Sequence, residues 1–219
     1  RTAPSGGNGF SAFRCAPMPP STNYDQRARL MTRKKKKPTY RKRQGITLAE
    51  KADRHVLYEK AVQCVETEVD MVDETFQTLR GRTASTIRED FCGTANTSCE
   101  WVGRRDDNRA FAVDLDDDVL AWSRLHNIAR LNDSGTGRIM LLREDVLTVQ
   151  TPAVDMVLAM NFSYQVFKTR QKLGQYFRTV RDALADDGIL FMDAYGGYES
   201  FREMEESTEH DDFTYVWDQ

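Results

Sequence analysis

Histidine and cysteine are scarce in this 219-residue chain, at three and four residues, and the cysteines (Cys15, Cys64, Cys92 and Cys99) form no C-x-x-C pair. Zinc sites and disulfide frameworks need ligands or thiols at short, regular spacings. Neither is therefore expected to organise the fold: the thiols are read as reduced, and no metal is expected. No apolar run approaches the roughly 20 residues that span a bilayer, and the N-terminus lacks the apolar core of a secretory signal. No membrane partner is expected, and the expected location is cytoplasmic. Also missing is the G-x-G-x-x-G turn with which dinucleotide-binding sheets wrap a pyrophosphate.

Charge is abundant and unevenly spread. Residues 1–45 hold twelve Lys/Arg against one acid, including "RKKKKPTYRKR", while the remainder carries about −14 behind a net charge of −3. Such a segment, with almost no repeating apolar pattern, reads as a disordered basic arm. Its expected roles are a solvated tail, a weak nucleic-acid contact through phosphates, or a targeting element. The chain opens on Arg1 and stops at "FTYVWDQ". The expectation is a fragment, with Met31 or Met18 as the natural start.

From Thr47 the pattern becomes helical: Leu57, Ala61, Cys64, Val65, Val69 (or Met71), Val72 and Phe76 recur at three- and four-residue intervals. Thr47 and Glu50 fit a capping box, and Gly81 fits a stop. One long or two shorter amphipathic helices are expected over 46–82, laid over the rest of the chain. Beyond Gly81, apolar or β-branched runs at 83–89, 109–115, 138–144, 154–161 and 188–196 alternate with helical patterns at 96–105, 117–131 and 168–185. That alternation predicts an α/β, doubly wound, mostly parallel Rossmann-like sheet over 83–219. In such a sheet the ligand lies beyond the carboxyl ends of the strands.

The first strand ends in "REDFCGTANTS", residues 88–98, with one glycine, Gly93, at the turn. The second ends in "AVDLD", placing Asp114 nineteen residues after Ala95. A carboxylate at about that distance accepts two hydrogen bonds from a ribose diol. Phe91 and Ala95 stand where a pyrophosphate turn has glycines, and Glu89 and Asp90 repel phosphate. The site suits a cation instead. S-adenosylmethionine, with a sulfonium and an ammonium beside its ribose, meets that requirement. The third strand ends at Asp145 and Val146, placed to meet the adenine; the fourth ends at Asn161, Phe162, Ser163 and Tyr164, facing the methyl group and the acceptor.

From about residue 52 to its end the chain resembles the class I S-adenosylmethionine-dependent methyltransferases, in a branch whose first motif reads "REDFCGTA". The resemblance implies that Glu89 is the motif's leading acid and that Phe91, Cys92, Gly93, Thr94 and Ala95 form its turn. It further implies that Asp114 with Leu115 holds the ribose, that Asp145 with Val146 holds the adenine, and that Asn161 opens the motif after the fourth strand. Of Glu89 and Asp90, one is expected on the ammonium side, with Glu89 preferred, and the other paired with Arg88 or Arg143. Asp116 is expected to cap a helix, and Cys92 to be buried packing. Asn161, Tyr164 and Asp193 are the catalytic candidates, the last two as proton acceptors if the acceptor needs one. The resemblance also implies seven strands, with "FTYVWDQ" as the sixth.

The expected activity is methyl transfer to an acceptor that the sequence does not identify, whether small molecule, protein or RNA. The alternative is a noncatalytic methyltransferase-like module that docks RNA or protein. Oligomeric state is not legible.

Overall fold

The computed structural model describes residues 46–219, so the basic arm at 1–45 lies outside the described residues. Thr47 opens helix α1 (Leu48–Lys51) with a complete capping box: Glu50 N donates to Thr47 Oγ1 at 3.2 Å and Thr47 N to Glu50 Oε2 at 2.7 Å. Helix α2 (Arg54–Val62) starts on the Asp53 carboxylate, which accepts from His55 N and Val56 N, and fully buries no residue. Helix α3 (Val65–Arg80) buries Val65, Val69, Val72 and Phe76 and ends on left-handed Gly81. The expected one or two helices are thus three pieces, because Ala52 and Gln63 take extended conformations at the breaks.

The chain then alternates: β1 (Thr86–Asp90), α4 (Asn96–Arg104), β2 (Arg109–Asp114), α5 (Asp117–His126), α6 (Asp133–Thr136), β3 (Ile139–Arg143), β4 (Val154–Ala159), α7 (Arg170–Ala183) and β5 (Leu184–Met192). The five strands form one sheet in the order β3-β2-β1-β4-β5, every pair parallel. The chain builds outward from β1 to β3, then crosses back to β4 on the other side. The resulting switch point between β1 and β4 is where doubly wound sheets open a crevice for ligands. Alternation along β4 sends Met156 and Leu158 into a core with Val69, Phe76 and Trp101, while Val157 and Ala159 face Tyr176 and Val180 of α7.

Three sequence expectations need correction. The helix expected over 117–131 ends at His126, with a short 3-10 turn at Ile128–Arg130 following. The fifth strand, expected at 188–196, runs Leu184–Met192. It begins in the residue that caps α7, and its irregular stretch opposite Val154–Met156 accommodates "ADDG", whose polar composition reads as a loop. Finally, "TYVWD" does not join the main sheet. It is β7 (Thr214–Asp218), antiparallel to β6 (Glu205–Glu209) in a separate two-stranded sheet. A hairpin partner a few residues away costs little loop-closure entropy, and the acidic "EESTE" carries no apolar signal that would have announced it.

One carboxylate ties the sheet together at the end opposite the crevice. Asp155 Oδ2 accepts from Ser85 N at 2.7 Å and Thr86 N at 3.0 Å, while its Oδ1 meets Arg82 Nη2 at 2.7 Å. Arg82 also holds Asp187 of β5.

Candidate active site

The period-two alternation of a strand separates the two acids before the turn. Arg88 and Asp90 point to the α7 side, and Glu89 points to the α4 side. Arg88 is wholly buried and pairs with Asp90, Nη2 to Oδ2 at 2.9 Å and Nε within 2.8 Å of Oδ1. Tyr176 Oη donates to the same Oδ2 at 2.9 Å. Burial raises the Asp90 carboxyl in spite of Arg88, and raises the Tyr176 phenol with it. Glu89 instead accepts from Ser98 N at 2.9 Å and Ser98 Oγ at 2.5 Å. Burial pushes its carboxyl up to about 7, against the pull of those two bonds. Of the two acids, the one paired with Arg88 is Asp90.

The turn after β1 is strained. Phe91, Gly93 and Ala95 have φ of 60°, 52° and 54°. A left-handed conformation costs a residue with a Cβ roughly 1–2 kcal/mol, which is why glycines are the usual occupants here. Phe91 offsets that cost by packing against Phe167 and Tyr176, with centroids 6.0 and 5.9 Å away, and Ala95 is completely buried. A second strained pair, Asn161 and Phe162 with φ of 55° and 43°, follows β4. Strain of this kind gathers at functional sites, and here it gathers at the ends of the two strands flanking the switch point.

Asp114, at the end of β2, is held by two backbone amides: Gly93 N donates to Oδ2 at 2.8 Å and Asp116 N to Oδ1 at 2.9 Å. A carboxylate has about four acceptor sites, so two remain for a ligand. Asp116 caps α5 through Asp118 N and Val119 N. Asp145 Oδ1 accepts from Leu147 N at 2.9 Å. Beside these residues lies a cavity of about 490 Å³, with Asp114, Leu115, Asp145 and Val146 on one wall and Phe91 and Phe167 on another. Lys168 and Lys172 also line it.

A second cavity, of about 270 Å³, shares Phe91 and Ser163 with the first. Its floor is the turn: Glu89, Asp90, Cys92, Gly93 and Thr94. Met160 and Asn161 also line it, as do His55 and Tyr58 of α2 and Gln63 just after that helix. Cys92 is buried, which raises its thiol well above the usual value. The hydroxyl of Thr94 is buried without a hydrogen-bond partner.

Two catalytic candidates fall elsewhere. Tyr164 packs against the core on the α7 side and lines neither cavity. Its position in "NFSYQ" suggests an acceptor wall, but within the 3-10 turn Ser163–Val166 it is Ser163 that lines both cavities. Asp193 Oδ1 accepts from Phe162 N at 2.6 Å, tethering the strained pair. Phe162 in turn meets Tyr195 and Trp217, with centroids at 5.5 and 6.4 Å, so β7 packs beside this loop. His55, Tyr58, Gln63 and Met160 are not singled out by the sequence. The usable signal is weak: α2 only partly buries its apolar residues Val56, Leu57, Ala61 and Val62, and none of them fully. Among the described residues no cluster of His, Cys, Asp or Glu is placed to hold a metal ion, and no helix is long and apolar enough to cross a membrane.

No protein-family model and no curated protein matches the chain. Solved structures do. A S-adenosylmethionine-dependent methyltransferase from Clostridium acetobutylicum superposes with a TM-score of 0.60 at 17% identity, over 75% of this chain and 66% of that one. S-adenosylmethionine-bound CalS10, an amino pentose methyltransferase from Micromonospora echinaspora, gives 0.59 at 15% identity, over 81% and 70%. The sugar N-methyltransferase KedS8 from Streptoalloteichus gives 0.57 at 17% identity, over 83% and 68%. The chain thus spans just under two thirds of the length of the first of these. Strand order, switch point and superposition agree: the chain has the fold of the class I S-adenosylmethionine-dependent methyltransferases.

Proposed function

We propose that the chain binds S-adenosylmethionine across the two joined cavities and transfers its methyl group to a small, polar, amine-bearing acceptor. The observation that carries this reading is Asp114, locked to the glycine turn through the Gly93 amide with acceptor sites to spare. The larger cavity suits the nucleoside: Asp114 accepts from the ribose hydroxyls, and Asp145 and Val146 flank the adenine. Glu89 meets the ammonium group, which favours its ionised form. The bound sulfonium supplies a methyl group that is already activated. What remains for the protein is alignment, which is worth on the order of 7–11 kcal/mol. Ser163, shared by the two cavities, and Asn161, in the smaller one, are the residues that hold the acceptor beside the methyl group. The smaller cavity sets the acceptor class: its described lining includes Glu89, Asp90, His55, Tyr58 and Gln63 but no lysine or arginine. Such walls repel anions and hydrogen-bond to amines and hydroxyls. An amino pentose methyltransferase and a sugar N-methyltransferase among the similar structures support the same class.

Calorimetric titration tests the reading. S-adenosylmethionine and S-adenosylhomocysteine are expected to bind in the micromolar range, and Asp114→Ala to weaken both at least about 100-fold, because a diol loses two charge-assisted hydrogen bonds. A folded wild-type chain that binds neither ligand overturns the proposal. Transfer of labelled methyl to simple amino sugars, with their phosphorylated forms left unmodified, tests the acceptor class.

A further inference from the structure

Helix α2 carries His55, Tyr58 and the flanking Gln63 to the acceptor cavity, yet it fully buries no side chain. Beside the half-buried Val56, Leu57, Ala61 and Val62 and a His55–Trp122 ring contact at 5.1 Å, three side-chain hydrogen bonds donated from the body of the domain hold it. Trp122 Nε1 donates to the N-cap Asp53 Oδ2 at 2.6 Å, Asn127 Nδ2 to Glu59 Oε1 at 2.7 Å, and Asn96 Nδ2 to Gln63 Oε1 at 3.0 Å. Extended residues bound the helix on both sides, Ala52 and Asp53 before it and Gln63 after. Segments held by few polar ties between such breaks sit at the low end of local stability, and a few residues of this kind suffice as hinges.

Asn127 differs from the other two donors. It is buried, lies directly after α5, and its one amide nitrogen donates twice: to Glu59 on α2 and, at 3.0 Å, to the carbonyl of Thr94 inside the cofactor turn. Its oxygen lies 3.4 Å from Arg130 Nη1, which donates to it. The side chain therefore spans from the floor of the cavity to its cover. We propose that Asn127 is a positioning residue that couples occupancy of the cofactor turn to the placement of α2, so that cofactor binding seats His55 and Tyr58 against the acceptor. The inference rests on the cavity being a cofactor site. A ligand that stiffens the 91–95 turn fixes the Thr94 carbonyl, hence the Asn127 amide, hence Glu59. The same bonds that seat the cover are then held more firmly when the site is loaded.

Hydrogen exchange on the full chain, with S-adenosylhomocysteine as the probe, tests the coupling. In the wild type, ligand is expected to slow exchange about tenfold or more both in the turn, 91–95, and in α2, 54–62. In Glu59→Ala, which leaves the buried Asn127–Thr94 bond in place, ligand is expected to protect the turn as before but to lose most of its effect on α2. Glu59→Gln keeps an acceptor for Asn127 and is expected to restore it, which a merely structural contribution of the Glu59 charge would not do. Full ligand-induced protection of α2 in Glu59→Ala overturns the proposal. Ligand bound by the wild type with no change in α2 also overturns it, while leaving the cofactor site standing. No ligand binding by the wild type removes both.

Discussion

The Glu89 carboxyl is the most consequential single group in the crevice. Its proton is held to about 7 in the folded chain, against an ordinary value of 4.5. Folding therefore takes up a proton between those values, and the Glu89 contribution to stability is largest below 4.5 and falls as pH rises through the window. The shift corresponds to on the order of 3 kcal/mol lost by pH 7. Urea melts at pH 5 and pH 8 are expected to show Glu89→Gln gaining stability on the wild type at the higher pH only. Ligand binding has the opposite sign, because a cationic partner wants the carboxylate. S-adenosylmethionine is expected to bind about tenfold more weakly at pH 6 than at pH 8, with Glu89→Gln weak and flat across that range. A tenfold pH dependence that survives the substitution assigns the proton to another group. From the sequence, Glu89 and Asp90 are recognisable as an acidic pair, with Glu89 preferred for the ammonium side but the partner of Arg88 left open. What separates them is which face of β1 each takes and what lies there: Ser98 for one, Arg88 and Tyr176 for the other.

Among the helices and strands, legibility tracks how local the signal is. The Thr47–Glu50 box, the Asp116 cap and the Gly81 stop depend on residues within a turn of one another, and each stands where its pattern puts it. Gly81 offers a clean measurement, since φ is +67° and a Cβ built there meets no atom within 4 Å. Gly81→Ala is therefore expected to cost about 1 kcal/mol from backbone conformation alone, read as a lower denaturation midpoint with an unchanged slope. A larger cost would mean that the α3 terminus carries more than its cap. By contrast, the periodic pattern misplaces β5 and misses β6. The start of β5 is fixed by pairing with β4 across a bulge, and β6 by its antiparallel partner β7, neither of which an apolar period reports.

Taken as a whole, the sheet is anchored at one end and opened at the other. Asp155 joins the entry to β1, the start of β4 and, through Arg82, the bulge of β5. Burial raises its carboxyl, but the Ser85 and Thr86 amides and Arg82 outweigh that and hold it below the ordinary range, so its contribution is present at neutral pH and lost on acidification. Asp155→Ala leaves several donors without their acceptor and is expected to cost about 2–3 kcal/mol at pH 7. The wild-type and variant stabilities should converge as pH falls below 4; a constant gap would mean that packing, not the carboxylate, is responsible. The order of strands and helices, and with it the parallel sheet and the switch point, is written in the chain's own pattern, because burial on two faces dictates period and order. The same pattern marks Gly93, Asp114 and Asp145 as strand-end residues, since those ends come with the strands. That Asp90 goes to Arg88 and Tyr176, that Tyr164 packs half-buried on the α7 side, and that α2 brings His55 and Tyr58 to the cavity are outcomes of the folded arrangement instead. The first needs Tyr176 of α7 to reach Asp90 from 86 residues away, and the others likewise depend on packing between separate elements, which no local periodicity encodes.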